Sequence, residues 1–489
     1  MDNLRNKTTS SILWDLSSKV ILQASGFVFS IVLARLLSPS DFGNIGLIVV
    51  VVSLANVFID LGFGSALIQR KDVTNQDFSS VFFFNVTVSF LLSLLLFFSS
   101  DLIASFYKIP ELSPLAKAIS PVFVFSAFGT AISAKLKKEL SFKILSKATI
   151  FGSISSGLIG ISLAYLGFGV WSLLIQSLAL PVLSNIYLFL SVKWRPVLKF
   201  EYSSLKKLWP FGSRLFYTGL LDMIFFNLDS ILIGKYFNNT TLGYYYRAKS
   251  VENFAARYTS GSLTSVLFSS FSKIQDDKEK LERTSKTIIH LLSVVSFYVC
   301  GLLFVTSEDL FITLFTEKWR PAIHIFKLLI ISAFSYQIQS IFGSILLSQG
   351  KSNYIFQLNV VSKILRGISV AALIISGIDL FLYLNIAANL LMFILYSALT
   401  IQKLTLKIGS FHIDMAKYFL AYSTSIFLCM LLYKHLLVGS SLVNFFTFSI
   451  IYSIAYILSQ LVFNKNGFYI SISEIKSLIK SIRRNEILV

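Results

Sequence analysis

FGSRLFYTGLLDMIFFNLDSILIGKYFNNTTLGYYYRAKSVENFAARY, residues Phe211–Tyr258, decides how this chain is to be read. It sets Arg214, Asp222, Asp229, Lys235, Arg247, Lys249, Glu252 and Arg257 into or beside runs otherwise apolar enough to lie in a bilayer. An ionisable group at the bilayer centre costs roughly 2.5–3.5 kcal/mol on insertion scales, so such groups face protein or water and mark a pathway. At 100° per residue, Asp222 and Asp229 fall about 20° apart, with Arg214 inside an arc of about 80°. One face of this helix is polar, and the rest of the chain reads as a frame that hides it from lipid.

The full chain has 489 residues, 55% hydrophobic and 14% charged, with a mean hydropathy of +0.73. Soluble domains carry roughly 25% charged residues, so the composition is that of an integral membrane protein. Membrane barrels alternate apolar and polar positions over about ten residues, whereas the apolar runs here are near-continuous over about twenty; the spans are expected to be helices. Asp15 and Lys19 interrupt the first apolar run, which is too long for a signal peptide, and the first helix is expected to be retained. Cys300 and Cys429 lie inside apolar runs with no companion at ligand spacing and read as core packing.

About fourteen spans follow from runs and breaks, at roughly 11–36, 43–68, 79–100, 115–134, 147–166, 169–191, 211–236, 247–271, 286–306, 322–348, 355–376, 379–401, 415–434 and 442–463. With the N-terminus inside, 29 of the 43 lysines and arginines fall on the cytoplasmic side and 9 on the other. That asymmetry is the positive-inside bias; it supports an even span number with both termini cytoplasmic. It also accounts for most of the net charge of +19, which removes the main support for a nucleic-acid partner.

An internal repeat emerges at an offset of 200 residues. IVLARLLSPSDFG (Ile31–Gly43) lies over SILIGKYFNNTTLG (Ser230–Gly243), pairing Arg35 with Lys235 and Gly43 with Gly243. Further on the offset drifts to about 208–210, where SSDLIASFYKIPELSPLAKAIS resembles SEDLFITLFTEKWRPAIHIFKL. Two six-helix bundles are expected, at residues 1–200 and 201–405, followed by two extra helices at 406–465 and a tail at 466–489. Six being even, the bundles are parallel repeats with a cavity between them, the layout of an alternating-access transporter. In the tail, Ile472, Ile475, Ile479 and Ile482 alternate at helical spacing with Lys476, Lys480, Arg483 and Arg484, as in a basic amphipathic helix on an anionic leaflet, with a frayed solvated tail as the equal alternative.

Catalysis has no visible home. The single GK[ST] triplet, Gly350-Lys351-Ser352, has Ile345 where a phosphate-binding loop needs glycine. His290, His324, His412 and His435 are scattered, and no paired-cysteine zinc spacing, HExxH or GxSxG occurs. What remains is a set of intramembrane charges with a cationic excess: Lys19 and Arg35 in the first helix, Arg214, Arg247, Lys249 and Arg257 in the opening stretch, and Lys363 and Arg366 three apart on one later face. These are the candidate substrate-binding residues, since arginine and lysine in a cavity select for an anion and meet a diphosphate well. Asp60, Asp222, Asp229 and Glu252 are the candidate ion-coupling acids. Snorkelling by Arg35, Lys235 and Arg247, and a purely structural Asp15–Lys19 pair, stand beside that reading.

LARLLSPSDFG, the segment through DLGFGSALIQRKDVT, the KKELSFK loop, the GFGVWSL turn, KWRP and ILIGKYF…LGYYYRA together resemble the polysaccharide transporter branch of the multidrug/oligosaccharidyl-lipid/polysaccharide exporter superfamily, from about residue 8 to 400. That branch includes Wzx-type flippases and exporters of capsule, exopolysaccharide and teichuronic acid. The resemblance implies two six-helix bundles around a V-shaped central cavity, no cofactor, and no enzymatic chemistry. The implied substrate is an undecaprenyl-diphosphate-linked oligosaccharide repeat unit, turned across the bacterial inner membrane for O-antigen, capsule or exopolysaccharide synthesis. Coupling to a proton or sodium gradient, and contacts with the polymerase and other assembly proteins, are expectations of the same kind. Two rivals remain: a multidrug-type cation antiporter of the same superfamily, which should present an acid-dominated cavity, and a polymerase or ligase of the same pathway, which should carry a long external loop.

Overall fold

The computed structural model describes residues 2–256, 267, 270–404, 411–433, 435 and 439–483. In chain order the helices are α1 (Asp2–Leu36), α2 (Pro39–Asp60), α3 (Phe63–Gln69), α4 (Asn75–Tyr107), α5 (Leu112–Ile119), α6 (Val122–Lys138), α7 (Phe142–Tyr165), α8 (Val170–Ser191), α9 (Tyr202–Tyr236) and α10 (Asn239–Ala256). They continue as α11 (Lys278–Val305), α12 (Ser307–Phe315), α13 (Arg320–Ile330), α14 (Ala333–Ser348), α15 (Ser352–Ser376), α16 (Ile378–Leu404), α17 (Phe411–Tyr433), α18 (Ser441–Phe463) and α19 (Lys465–Arg483). The described residues form no strand. Among the described residues, thirteen helical segments are long and apolar enough to cross a membrane. The protein is an all-helical, multi-pass membrane protein.

Local chemistry sets the helix boundaries. Ser38 opens α2 with a capping box: its hydroxyl accepts from the Asp41 N–H at 3.2 Å while Asp41 accepts from the Ser38 N–H at 2.9 Å, and Pro39 occupies the first turn where no donor is needed. Thr74 and Asp77 repeat the device at the start of α4. The span expected at 43–68 is broken at Leu61 and Gly62, both left-handed with φ of 46° and 75°. The expected span at 322–348 likewise consists of α13 and α14. The span expected at 247–271 begins as α10, which starts earlier, at Asn239; residues 257–266, and with them Arg257, lie outside the described residues.

The chain forms two compact units, Met1–Tyr246 and Arg247–Val489. The boundary differs from the repeat boundary near residue 200, because α9 packs along α2, α3 and α4. In the first unit, Phe63, Leu67, Phe78, Val81, Leu205 and Leu208 make one core, with Trp194 against it. In the second, Phe297 of α11 stacks on Phe334 at 4.2 Å between ring centroids, with Tyr418 and Tyr422 of α17 alongside. The two helices beyond the repeat, α17 and α18, therefore pack on α11. The tail is helical as α19 as far as Arg483, Arg484 lying outside the described residues, and its first half is docked, with Phe468 and Ser471 buried.

Candidate functional site

The opening stretch folds into α9, a sharp turn and α10, and brings α10 back across the start of α2. The crossing is reciprocal. A Cβ on Gly43 would stand 1.8 Å from the Asn239 carbonyl oxygen, and one on Gly243 would stand 1.8 Å from that of Pro39. The two glycines are 200 positions apart, and so are their partners Pro39 and Asn239, so the repeat read in the sequence is a physical contact here. Asn239 Nδ2 donates to Asn44 Oδ1 at 3.2 Å, and Asn44 Nδ2 to Glu111 Oε2 at 3.0 Å, which ties the same crossing to α5. Lower down, Gly62 meets Gly212 backbone to backbone, joining the break after α2 to α9. Small residues permit such approach, and van der Waals packing of this kind drives helix association in lipid.

The polar face of α9 divides in two. Asp229 is buried; its Oδ1 accepts from the Ser230 N–H at 2.8 Å, and its Oδ2 accepts a hydrogen bond from the Tyr245 hydroxyl of α10. Two turns earlier Asp222 is exposed, as is Arg214. Between them Asn227, also buried, donates to the Met223 carbonyl at 2.9 Å. Tyr245 of α10 thus meets the end of the face nearest the turn.

Among the described residues, the candidate cations lie on four helices, α1, α9, α10 and α15. Arg247 is 2% exposed, its guanidinium over the Phe315 ring at 4.9 Å and the Trp319 ring at 5.1 Å. Lys249 and Glu252, on the following turns of α10, are half-buried. On α15, Lys363 and Arg366 are half-buried one turn apart. On α1, Arg35 is exposed and Lys19 forms an exposed pair with Asp15 at 2.6 Å. Lys235 lies over the Phe106 ring at 3.9 Å.

Asp60 has a different setting. It lines a cleft of about 360 Å³ within the first unit, walled by α2, α3, α6 and α8, together with Ser126, Thr130, Ser133, Lys137 and Asn185. None of those five was picked out from the sequence. The signal was available: Ser126, Thr130, Ser133 and Lys137 recur at intervals of four, three and four along α6, a polar stripe on a helix otherwise apolar up to its lysine-rich end.

The family model for polysaccharide biosynthesis proteins matches residues 32–324, more than half of the chain. The chain belongs to the polysaccharide biosynthesis protein family. Within it, the chain is similar to the lipopolysaccharide biosynthesis protein WzxC of Escherichia coli (strain K12), with 26% identity over 381 residues covering 77% of this chain and 76% of that protein. It is 31% identical over 333 residues to the teichuronic acid biosynthesis protein TuaB of Bacillus subtilis (strain 168), covering 66% and 67%. Among solved structures, the lipid II flippase MurJ in an inward closed conformation superposes with a TM-score of 0.73 at 15% identity, over 93% of this chain and 99% of that one. That likeness supports the fold.

Proposed function

We propose that this family member is a flippase, moving an undecaprenyl-diphosphate-linked oligosaccharide repeat unit across the bacterial inner membrane for surface polysaccharide assembly. The observation that carries the reading is the set of basic side chains kept on membrane-spanning helices: Lys363 and Arg366 on α15, Arg214 on α9, and Lys19 and Arg35 on α1. Each costs insertion energy in a segment that apolar residues would stabilise better, and several cations suit the acceptor oxygens of a diphosphate. Carrying sugars and a charged headgroup through hydrocarbon unaided is prohibitive; a polar route lined by protein removes that barrier while the polyprenyl chain stays in lipid. Family membership and the printed names of WzxC and TuaB, lipopolysaccharide and teichuronic acid biosynthesis proteins, support the pathway.

On this reading no bond is made or broken and no resident cofactor takes part. Transport proceeds by alternating access, with a proton or sodium gradient coupled through Asp60, Asp222, Asp229 or Glu252. The lysine-rich ends of the helices, including Lys135, Lys137 and Lys138 of α6, face the cytoplasm, and both termini lie on that side. The polymerase and other assembly proteins of the same pathway are the expected protein partners.

The test is transport of a fluorescent undecaprenyl-diphosphate oligosaccharide in proteoliposomes, comparing the native protein with a folded Lys363→Ala/Arg366→Ala variant. Transport that the double substitution abolishes supports the flippase and puts the diphosphate against α15. Transport that it leaves intact removes α15 from the pathway. No transport under any imposed ion gradient refutes the function and favours a cation antiporter.

A further inference from the structure

The cleft around Asp60 has features of a built site rather than a packing gap. Two glycines are cradles for its two principal polar side chains. Gly64 donates its N–H to Asp60 Oδ1 at 2.9 Å, and a Cβ there would stand 2.8 Å from that same oxygen. Gly129 faces Asn185, and a Cβ would stand 2.1 Å from its Oδ1. Any larger residue at 129 would displace the carboxamide, which is held from its other end by donation from Nδ2 to the Phe125 carbonyl. Thr130 is also fixed: its hydroxyl donates to the Ala127 carbonyl at 2.9 Å and accepts from Asn85 Nδ2 at 2.9 Å. Behind it, Asn85 Oδ1 is buried and has no hydrogen-bond partner among the described residues. Pro181 in the wall belongs to α8 and has no N–H, which leaves the Ser177 carbonyl without its helical donor.

The lining chooses among ligand classes. One carboxylate and one ammonium, Asp60 and Lys137, leave it formally neutral, with hydroxyl and carboxamide groups between them. A diphosphate calls for several cations and is opposed by Asp60. A metal ion or bare cation calls for several oxygen ligands and is opposed by Lys137. A polyol is served by both: the carboxylate accepts from hydroxyls, Lys137 donates to ring or hydroxyl oxygens, and the side chains of Asn185, Thr130, Ser126 and Ser133 do either. The volume, about 360 Å³, falls within the roughly 300–1,000 Å³ of small-molecule sites.

From this we infer that the cleft walled by α2, α3, α6 and α8 is a sugar-binding subsite, holding glycan hydroxyls between Asp60 and Asn185, separate from the cations that meet the diphosphate. The inference rests on the proposed translocation of a lipid-linked glycan. It assigns the recognition of sugar and of diphosphate to different helices.

The test uses the full chain in nanodiscs with Ser126→Cys, the native Cys300 and Cys429 being buried. The introduced thiol is labelled with a hydrophilic maleimide. Labelling is followed alone, with bare undecaprenyl diphosphate, and with undecaprenyl-diphosphate oligosaccharides carrying neutral, amino or acidic sugars. At least one glycan-bearing lipid should slow labelling by about tenfold while the bare lipid leaves it unchanged, and Asn185→Leu should remove that protection without altering the rate measured alone. Ser133→Cys serves if Ser126→Cys does not fold. Equal protection by bare and glycan-bearing lipids, protection by no glycan, or thiols at both positions that no reagent reaches would each overturn the subsite. Failure of the flippase reading shows separately, as absence of transport by the native protein. Selective protection by a glycan in that case would still establish the sugar site.

Discussion

Replacing Gly43 with alanine puts a methyl group 1.8 Å from the Asn239 carbonyl oxygen and 2.7 Å from its carbon. Both obstructing atoms are backbone, so no rotamer change relieves the clash. Ordinary contact for a Cβ begins near 3.4 Å, so α2 and α10 must part by about 1.6 Å at the crossing; overpacking typically costs about 1–3 kcal/mol, and a rigid backbone neighbour puts this case at the upper end. Gly243→Ala meets the Pro39 carbonyl at the same 1.8 Å and should cost the same. The informative variant is the double one. Because the two contacts are reciprocal, a separation that accommodates one methyl accommodates the other, so the pair should cost close to one single substitution, about 3 kcal/mol rather than about 6. Reversible unfolding in mixed detergent micelles, with all four proteins of the cycle, measures this coupling. Additivity within about 0.5 kcal/mol, or single substitutions costing less than about 0.5 kcal/mol, would refute the reciprocal crossing.

Three further outcomes follow from buried groups. Arg247→Met keeps the length of the side chain but loses the cation over Phe315 and Trp319; stability should fall by about 2 kcal/mol in the same unfolding assay, with Arg247→Lys only a partial rescue because the planar stack is lost. Tyr245→Phe leaves the buried Asp229 Oδ2 without its hydroxyl donor and should cost about 1–3 kcal/mol, whereas Asp229→Asn together with Tyr245→Phe should cost less than the two singles combined. Asp309 on α12 is 3% exposed; burial pushes its carboxyl above the ordinary carboxylate range, against the Tyr433 hydroxyl that donates to it at 3.1 Å. A raised folded value means that folding favours the protonated form. Its stabilisation is complete below the unfolded value of about 3.9 and is lost as pH rises through the folded value, so unfolding midpoints should fall with rising pH in native protein relative to Asp309→Asn. The opposite slope would contradict the assigned environment.

Period and composition were enough to read the helices, because a membrane span must be long, apolar and self-satisfied in its hydrogen bonds. The breaks were less legible. Leu61 and Gly62 sit in an apolar run, and what fixes the turn there is Gly212, 150 residues on. The same limit applies to the charges. A helical wheel places Asp222 and Asp229 on one side, but burial along the axis depends on which partner helix arrives, as Tyr245 of α10 does at Asp229. Arg247 reads equally as a snorkelling residue; its enclosing rings, Phe315 and Trp319, are about seventy positions away and no local pattern announces them. The Asp60 cleft was half legible. The stripe along α6 is periodic, but the cradling glycines matter only once Asn185 of α8 is seen against Gly129.

The repeat shows why one offset holds where others drift. Between Pro39 and Gly46 the spacing of 200 cannot change on one side alone, because Pro39 faces Gly243, Gly43 faces Asn239, and Gly46 faces the Tyr246 ring at 3.3 Å. A one-residue insertion in either helix start would rotate its glycine about 100° away from the crossing and bring a side chain into backbone contact. Beyond the crossing, the offset lengthens to 208–210. The two copies of the motif are thus constrained as a pair, and the residues to alter together are those 200 positions apart across the crossing. In a transporter that works by alternating access, a close crossing of this kind between α2 and α10 resists separation with the energy of its packing. The same Gly43→Ala and Gly243→Ala substitutions should therefore change transport rate in liposomes in addition to stability in micelles, while substitutions of equal cost in the Phe63–Leu208 core should change stability alone.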